Sequence, residues 1–247
     1  MIKRRLGERL KQQDWAGVAI ELVLVVVGVF LGIQVANWND QRRERALERS
    51  YVARIGQDVR SDVADLDEVI RVSALRMALL NQLLPKASGQ PLPSGFDSAR
   101  GRVRVELVPL YDNNSRISPS FALFILTPLD DSRSAYETMI STGAIADMAD
   151  VATLRRIQDY YAAVDREVHF EVGLEQNRDK LIDAERKVGI SPVKAMTVDQ
   201  LSIAFATNPE LLATAQNYWL YTNRHLKLTR ELRARAHSLI DYLQKKN

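Results

Sequence analysis

Three histidines, His169, His225 and His237, and no cysteine are all the imidazole and thiolate ligands this chain carries. Asp165 and His169 stand four apart, which on a helix places both on one face within reach of a shared cation. Spacing supplies no third or fourth ligand, so an exposed acid–imidazole pair is the plainer reading. Glu167, Glu171, Glu175 and Asp179 repeat every four residues and draw an acidic line along the same helix. Arg166, Arg178 and Lys180 lie among them, and a solvated face is expected rather than an acidic binding stripe. No glycine-rich phosphate loop follows a strand pattern, and neither H-E-x-x-H nor E-x-x-H occurs. No catalytic residue, metal or cofactor is therefore expected, and the chain does not read as an enzyme. Tyr160, Tyr161, Tyr218, Trp219 and Tyr221 sit on long helical patterns and are expected to pack in a core.

The charge balance adds little. The 247 residues hold 34 basic and 31 acidic side chains, for a net charge of +3. The basic groups are spread along helices and mixed with acids, without a nucleic-acid reading motif, and no nucleic-acid partner is expected.

The element that must position everything else is the apolar run at residues 16–36, bracketed by Trp15 and Trp38. At about 1.5 Å of rise per residue the two tryptophans stand roughly 34 Å apart, the depth of a hydrocarbon core with its interfaces. Between Val18 and Val35 lie thirteen Val, Leu, Ile or Phe residues. Each favours insertion by about 0.3–0.6 kcal/mol, against a cost of about 3 kcal/mol for a charge at the bilayer centre. Insertion wins over the opposition of Glu21 and Gln34. The run is long for a cleaved signal peptide and leads into Gln34, Asn37, Trp38 and Asn39 rather than a small-residue cleavage pair, so an uncleaved signal anchor is expected. Lys3, Arg4, Arg5, Arg9 and Lys11 before the run are matched by Arg42, Arg43, Arg45, Arg49 and Arg54 after it, and the positive-inside rule abstains. A fourteen-residue tail precedes the run and some two hundred residues follow it. Because long domains translocate largely regardless of charge, the N-terminus is expected inside and the domain outside.

Glu21, Gly28, Gln34, Asn37, Trp38, Asn39 and Asp40 fit the pattern E-x6-G-x5-Q-x2-N-W-N-[DE]. This resembles the signature of an uncharacterised family of bacterial single-span membrane proteins. A second stretch is similar to the same family: Ala135, Tyr136, Ser141, Gly143 and Ile145, followed by Asp150, Leu154, Ile157, Tyr160 and Tyr161. The resemblance implies an N-terminal anchor with a mainly helical extramembrane domain, and carries no activity or catalytic residue with it; with the domain outside, a bacterium would hold the anchor in its inner membrane and the domain in the periplasm.

At 100° per residue Gly17, Glu21, Gly28 and Gly32 fall near one line of the span, and Gly28 with Gly32 forms a G-x-x-x-G pair. Small residues let another helix approach closely, and a Glu on that line would face a partner rather than lipid. The bland alternative is that Glu21 reaches the headgroups and the glycines are incidental.

An all-α fold is expected, divided into a basic tail (1–14), the span (15–38), a long juxtamembrane helix (39–84), an irregular connection (85–130) and a helical bundle (131–247). Val63, Leu66, Ile70, Ser73, Met77, Leu80 and Leu84 keep the 3.5-residue period of a seam, in a bundle or a short coiled coil, and Pro85 is predicted to end the helix. Pro91, Pro93 and Gly95 mark the connection; Val103, Val105 and Leu107 alternate as a short strand would, and Asn113 and Asn114 suit a turn. Phe121 to Leu126 reads as a core run. Asp131 or Ser132 is predicted to cap a helix stopped at Gly143, and Asp150 one reaching about Val188 with Leu154, Ile157, Tyr161, Val164 and Val168 inward. Thr197 with Gln200 suits a capping box, and Asn208 with Pro209 opens a last helix to about Gln244.

Function follows the address. The expected role is an interaction or scaffold protein in the bilayer, a homo-oligomer or an accessory subunit beside another membrane protein. A sensor module holding an unknown small-molecule ligand and acting through a partner is the alternative, with an enzyme third.

Overall fold

The computed structural model describes residues 15–92, 105–112 and 116–246, with side chains from residue 19 onward. The basic tail, Pro93, Gly95, Val103, Asn113 and Asn114 lie outside these; of Trp15 and Gly17 only the helical backbone is described. The described residues form six helices and no strand: α1 (Trp15–Ser88), α2 (Pro119–Phe124), α3 (Ser134–Ser141), α4 (Val151–Lys187), α5 (Val198–Thr207) and α6 (Pro209–Gln244). Two compact units divide the chain, Met1–Tyr51 and Val52–Asn247.

In the first unit α1 carries large apolar side chains on every side over residues 20–38. From Ile20 to Trp38 its large hydrophobic side chains are each between 46% and 65% exposed. A helix of soluble protein hides such a surface on at least one face, so this stretch is built for a solvent other than water. Just past it, the Arg42 guanidinium lies 5.7 Å from the Trp38 ring, pairing a cation with an interfacial aromatic.

In the second unit three long helices run side by side. Thr153 meets Tyr242, His225 meets Glu171, and Lys187 meets Glu210, so residue numbers rise on α4 as they fall on α6 and the pair is antiparallel. Asp67 with Arg233, Ser73 with His225 and Asn81 with Trp219 show the same relation between α1 and α6. Leu79, Leu80, Leu83 and Leu84 of α1, Leu174 and Leu181 of α4, and Leu211, Tyr218 and Leu226 of α6 fill the centre. Burying a side chain of this size contributes about 1.5–3 kcal/mol each. The α5 residues Leu201 and Phe205 and the α2 residues Ala122 and Leu123 close the same core. Around Met77 α1 is buried on all sides, wider than a two-strand seam requires.

Local signals locate most helix ends. Asp150 accepts from the Thr153 N–H, Thr197 and Gln200 form a reciprocal capping box, and Asn208 accepts from the Leu211 N–H ahead of Pro209. Two ends differ from the sequence expectation. Helix α1 passes through Pro85 to Ser88, because a proline this near the end removes only one backbone bond while its own carbonyl still accepts from the Gly89 N–H at 2.9 Å. Helix α3 has Arg133 at its cap position with no side-chain cap, and Asp131 is engaged with Arg133 instead. Two α1 carboxylates serve its start from across the bundle. Asp62 Oδ1 accepts from the Ser132 N–H at 2.7 Å, and Asp58 Oδ2 accepts from the Ala135 N–H at 3.1 Å. The helix then stops at Gly143, whose φ of 77° favours a residue without Cβ.

The segment 105–112 has no regular structure, and the strand expected around Val105 does not form. Its backbone is held by side chains: Asn223 Oδ1 accepts from the Glu106 N–H at 2.7 Å, and Arg230 pairs with the Glu106 carboxylate. Such contacts depend on α6, which periodicity within the segment cannot register.

Candidate functional site

Midway along the bundle α4 and α6 bring polar groups to the inside. On α4 the buried stripe runs Ile157, Tyr160, Val164 and Leu174 at spacings of three and four, and Glu167 and Glu171 occupy the positions between. On α6 the corresponding level is His225, followed one turn later by Thr229. The Nε2 of His225 lies 3.3 Å from Glu167 Oε1 and 3.3 Å from Glu171 Oε1. One ligand atom from each of the three residues falls within 4.8 Å of the others.

Neighbouring groups hold this arrangement. Ser73 Oγ of α1 is 3.0 Å from His225 Nδ1 and fixes the ring plane. The Thr229 hydroxyl donates to Glu167 Oε1, and the Leu129 N–H donates to both Glu171 oxygens at 3.0 and 3.2 Å. Glu167 Oε2 has no hydrogen-bond partner, although the residue is 1% exposed. Burial, only partly opposed by the Thr229 bond, pushes the Glu167 carboxyl up to about 7. Burial also holds the His225 imidazole below its ordinary range, against the pull of Glu171 and with a smaller push from Arg76, so a neutral ring is favoured.

A cavity of about 340 Å³ opens beside the cluster. Leu126, Pro128, Leu129, Val172 and Leu174 give it an apolar wall; Glu171, His225 and Arg178 supply its polar groups. Mostly apolar walls with a few placed polar groups are the usual composition of a ligand site. Ser73, His225 and Glu171 stand in the hydrogen-bond order of an acyl-transfer triad. Yet Ser73 is 1% exposed and does not line the cavity, so its hydroxyl orients the ring rather than meeting a substrate. Arg76, also buried, donates to the Ile125 carbonyl at 2.6 Å and packs 5.6 Å from the Tyr218 ring, with Nε and Nη1 unpartnered.

The sequence candidates fare unevenly. Asp165 is taken up in an ion pair with Arg133 at 2.9 Å, and His169 is exposed, so the two do not share a site. Glu175 and Asp179 are solvated as expected, both paired with Arg178. The solvated reading fails for Glu167 and for most of Glu171, and it is Val168 that turns outward. A signal for this exists in the sequence: 160, 164, 167, 171 and 174 continue one helical stripe, and only the polarity of two members hides it. The aromatic expectation holds for Tyr160, Tyr161, Tyr218 and Trp219, all buried, while Tyr221 is partly exposed. On the span, Glu21, Gly28, Gly32 and Trp38 are exposed, and no atom outside the local backbone lies within 4 Å of where a Cβ would stand at either glycine.

These features define an all-α protein with one N-terminal helix long and apolar enough to cross a membrane and a helical domain with a polar cluster inside it. Residues 21–88 are similar to a family of unknown function (DUF6090). The match begins at Glu21 and ends with Ser88, the last residue of α1, so it contains the span signature from Glu21 to Asp40 and leaves out the second motif at 135–161. No curated protein and no solved structure matches the chain.

Proposed function

We propose that this is a membrane-anchored interaction protein whose span associates, through the face of Gly17, Glu21, Gly28 and Gly32, with a second transmembrane helix. The supporting observation is the open space above Gly28 and Gly32 on the stretch of α1 from Ile20 to Trp38, whose large apolar side chains are all exposed. In lipid, helices gain little from hydrophobic burial and associate instead by close packing and interhelical hydrogen bonds, for which two glycines one turn apart and a carboxyl on the same line are suited. The helix sits across a bacterial inner membrane with its N-terminus in the cytoplasm and its domain in the periplasm; a topology reporter fused after Asn247 that reads cytoplasmic would reverse that assignment.

The association is tested by blue-native electrophoresis after mild detergent extraction. The wild-type chain is expected to migrate as an oligomer or within a larger complex, and Gly28→Leu with Gly32→Leu to shift it to the monomer. A wild-type monomer, or an assembly indifferent to the double substitution, overturns the reading. Mass spectrometry of the crosslinked band separates a second copy of this chain from a different membrane protein. The cavity beside His225 favours a ligand-binding role for the domain in addition.

A further inference from the structure

The cluster at the centre of the bundle has the composition and spacing of a metal site, independently of how the span associates. We propose that Glu167, Glu171 and His225 bind one divalent first-row transition-metal ion, with a remaining coordination position open to the cavity.

Four observations carry this. Ligand atoms about 2.0–2.2 Å from a tetrahedral ion stand roughly 3.3–3.6 Å from one another. The two histidine-to-carboxylate separations, both 3.3 Å, have this spacing before any ion is placed. Next, Glu167 Oε2 is buried without a partner, and leaving such an oxygen bare costs about 1–3 kcal/mol. A cation bound through Glu167 gives Oε2 the partner the protein does not. Third, the outer groups are in place. Ser73 on Nδ1 of His225 leaves Nε2 to the common centre, while Thr229 holds the Glu167 carboxylate through Oε1 and the Leu129 N–H holds the Glu171 carboxylate through both oxygens. Ligating histidines and carboxylates are oriented in just this manner by second partners. Finally, His225 and Glu171 are also cavity-wall residues, so the fourth position faces open volume rather than packed side chains.

The donor set narrows the ion. One imidazole favours zinc, iron, manganese or cobalt over magnesium and calcium, and two carboxylates with no thiolate disfavour copper(I). Three protein ligands with an open position describe a site that keeps an exchangeable water or anionic ligand. Arg76 near His225 and Arg224 near Glu167 oppose a bound cation, and Glu231 favours it. With both carboxylates ionised, the three ligands bring two negative charges to the ion's two positive ones.

The test uses the full chain in detergent micelles, stripped by a chelator and titrated with Co2+ alone, then with Zn2+ in competition. One equivalent of Co2+ per chain is expected, with visible d–d bands of a low-coordinate nitrogen and oxygen site, displaced by one equivalent of Zn2+. Glu171→Gln, at the cavity edge and nearly isosteric, is expected to weaken uptake by more than about tenfold. Thr229→Val, which removes the hydroxyl from Glu167, is expected to weaken it by about 10–100-fold. His169→Ala, on the exposed face, leaves uptake unchanged. No stoichiometric Co2+ uptake by the wild-type chain overturns the proposal whatever the variants do, and so does an affinity unchanged by Glu171→Gln or uptake abolished by His169→Ala.

Discussion

Replacing Asp62 by alanine is expected to destabilise the helical domain by about 3–5 kcal/mol, the largest single effect of any polar substitution considered for this chain. The side chain is fully buried, accepts from the Ser132 N–H at 2.7 Å and from the Tyr160 hydroxyl at 2.6 Å, and so ties α1 both to the start of α3 and to α4. Alanine leaves two donors without partners and a void where the carboxyl stood. Asp62→Asn keeps the shape and one acceptor oxygen, so its cost should stay near 1 kcal/mol, and Tyr160→Phe should cost a similar amount. Coupling between Asp62→Ala and Tyr160→Phe in a double-mutant cycle would confirm that the bond, rather than the cavity alone, matters. Thermal melting of the full chain followed by near-ultraviolet circular dichroism is the measurement, and an Asp62→Ala protein that melts with the wild type would refute the network. Burial raises the Asp62 carboxyl above its usual range in spite of both hydrogen bonds, so the side chain is held in place at some electrostatic cost.

Glu185→Gln is expected to act in the opposite direction. Glu185 is 2% exposed on α4, its Oε1 has no hydrogen-bond partner, and burial alone pushes its carboxyl up to about 7. A folded pKa above the unfolded value means that the fold prefers the protonated acid. The contribution to stability is complete below about pH 4.5 and is lost as pH rises to about 7, by roughly 3 kcal/mol in all. Glutamine, which has no charge to desolvate, should therefore leave stability at pH 4.5 almost unchanged and raise it at pH 8 by up to roughly 3 kcal/mol. At about 2–4 °C per kcal/mol for a domain of this size, the melting temperature moves by several degrees. A gain of equal size at both pH values would show that something other than ionisation is responsible. Glu167 titrates over the same window in the metal-free chain, but its behaviour diverges when an ion binds, because the bound ion favours the ionised form. Zn2+ should thus flatten the alkaline loss of stability that remains in the Glu185→Gln protein.

The features legible in the sequence are those that depend on neighbours within a turn or two. The span needs only thirteen branched or aromatic apolar residues in a row of eighteen, and in the structure that row is exposed on every side. The starts of α4, α5 and α6 need only a side-chain oxygen two or three residues ahead of an unpaired N–H, and Asp150, Thr197 and Asn208 each provide one. Helix α3 breaks this rule because its cap comes from Asp58 and Asp62, some seventy residues earlier in the chain.

The central cluster is the sharper case. Glu167 and Glu171 are separated from His225 by more than fifty residues, and their four-residue spacing is the same whether a helix turns them to water or to its neighbour. The sequence by itself determined the apolar span, the all-α class and most helix ends, because hydrophobicity, capping and turn chemistry are local properties. Only the tertiary structure decided that the inner face of α4 continues through Glu167 and Glu171. That choice is made by the antiparallel packing of α6, which sets His225 and Thr229 opposite two carboxylates and turns two members of an acidic line into the buried polar centre of the domain.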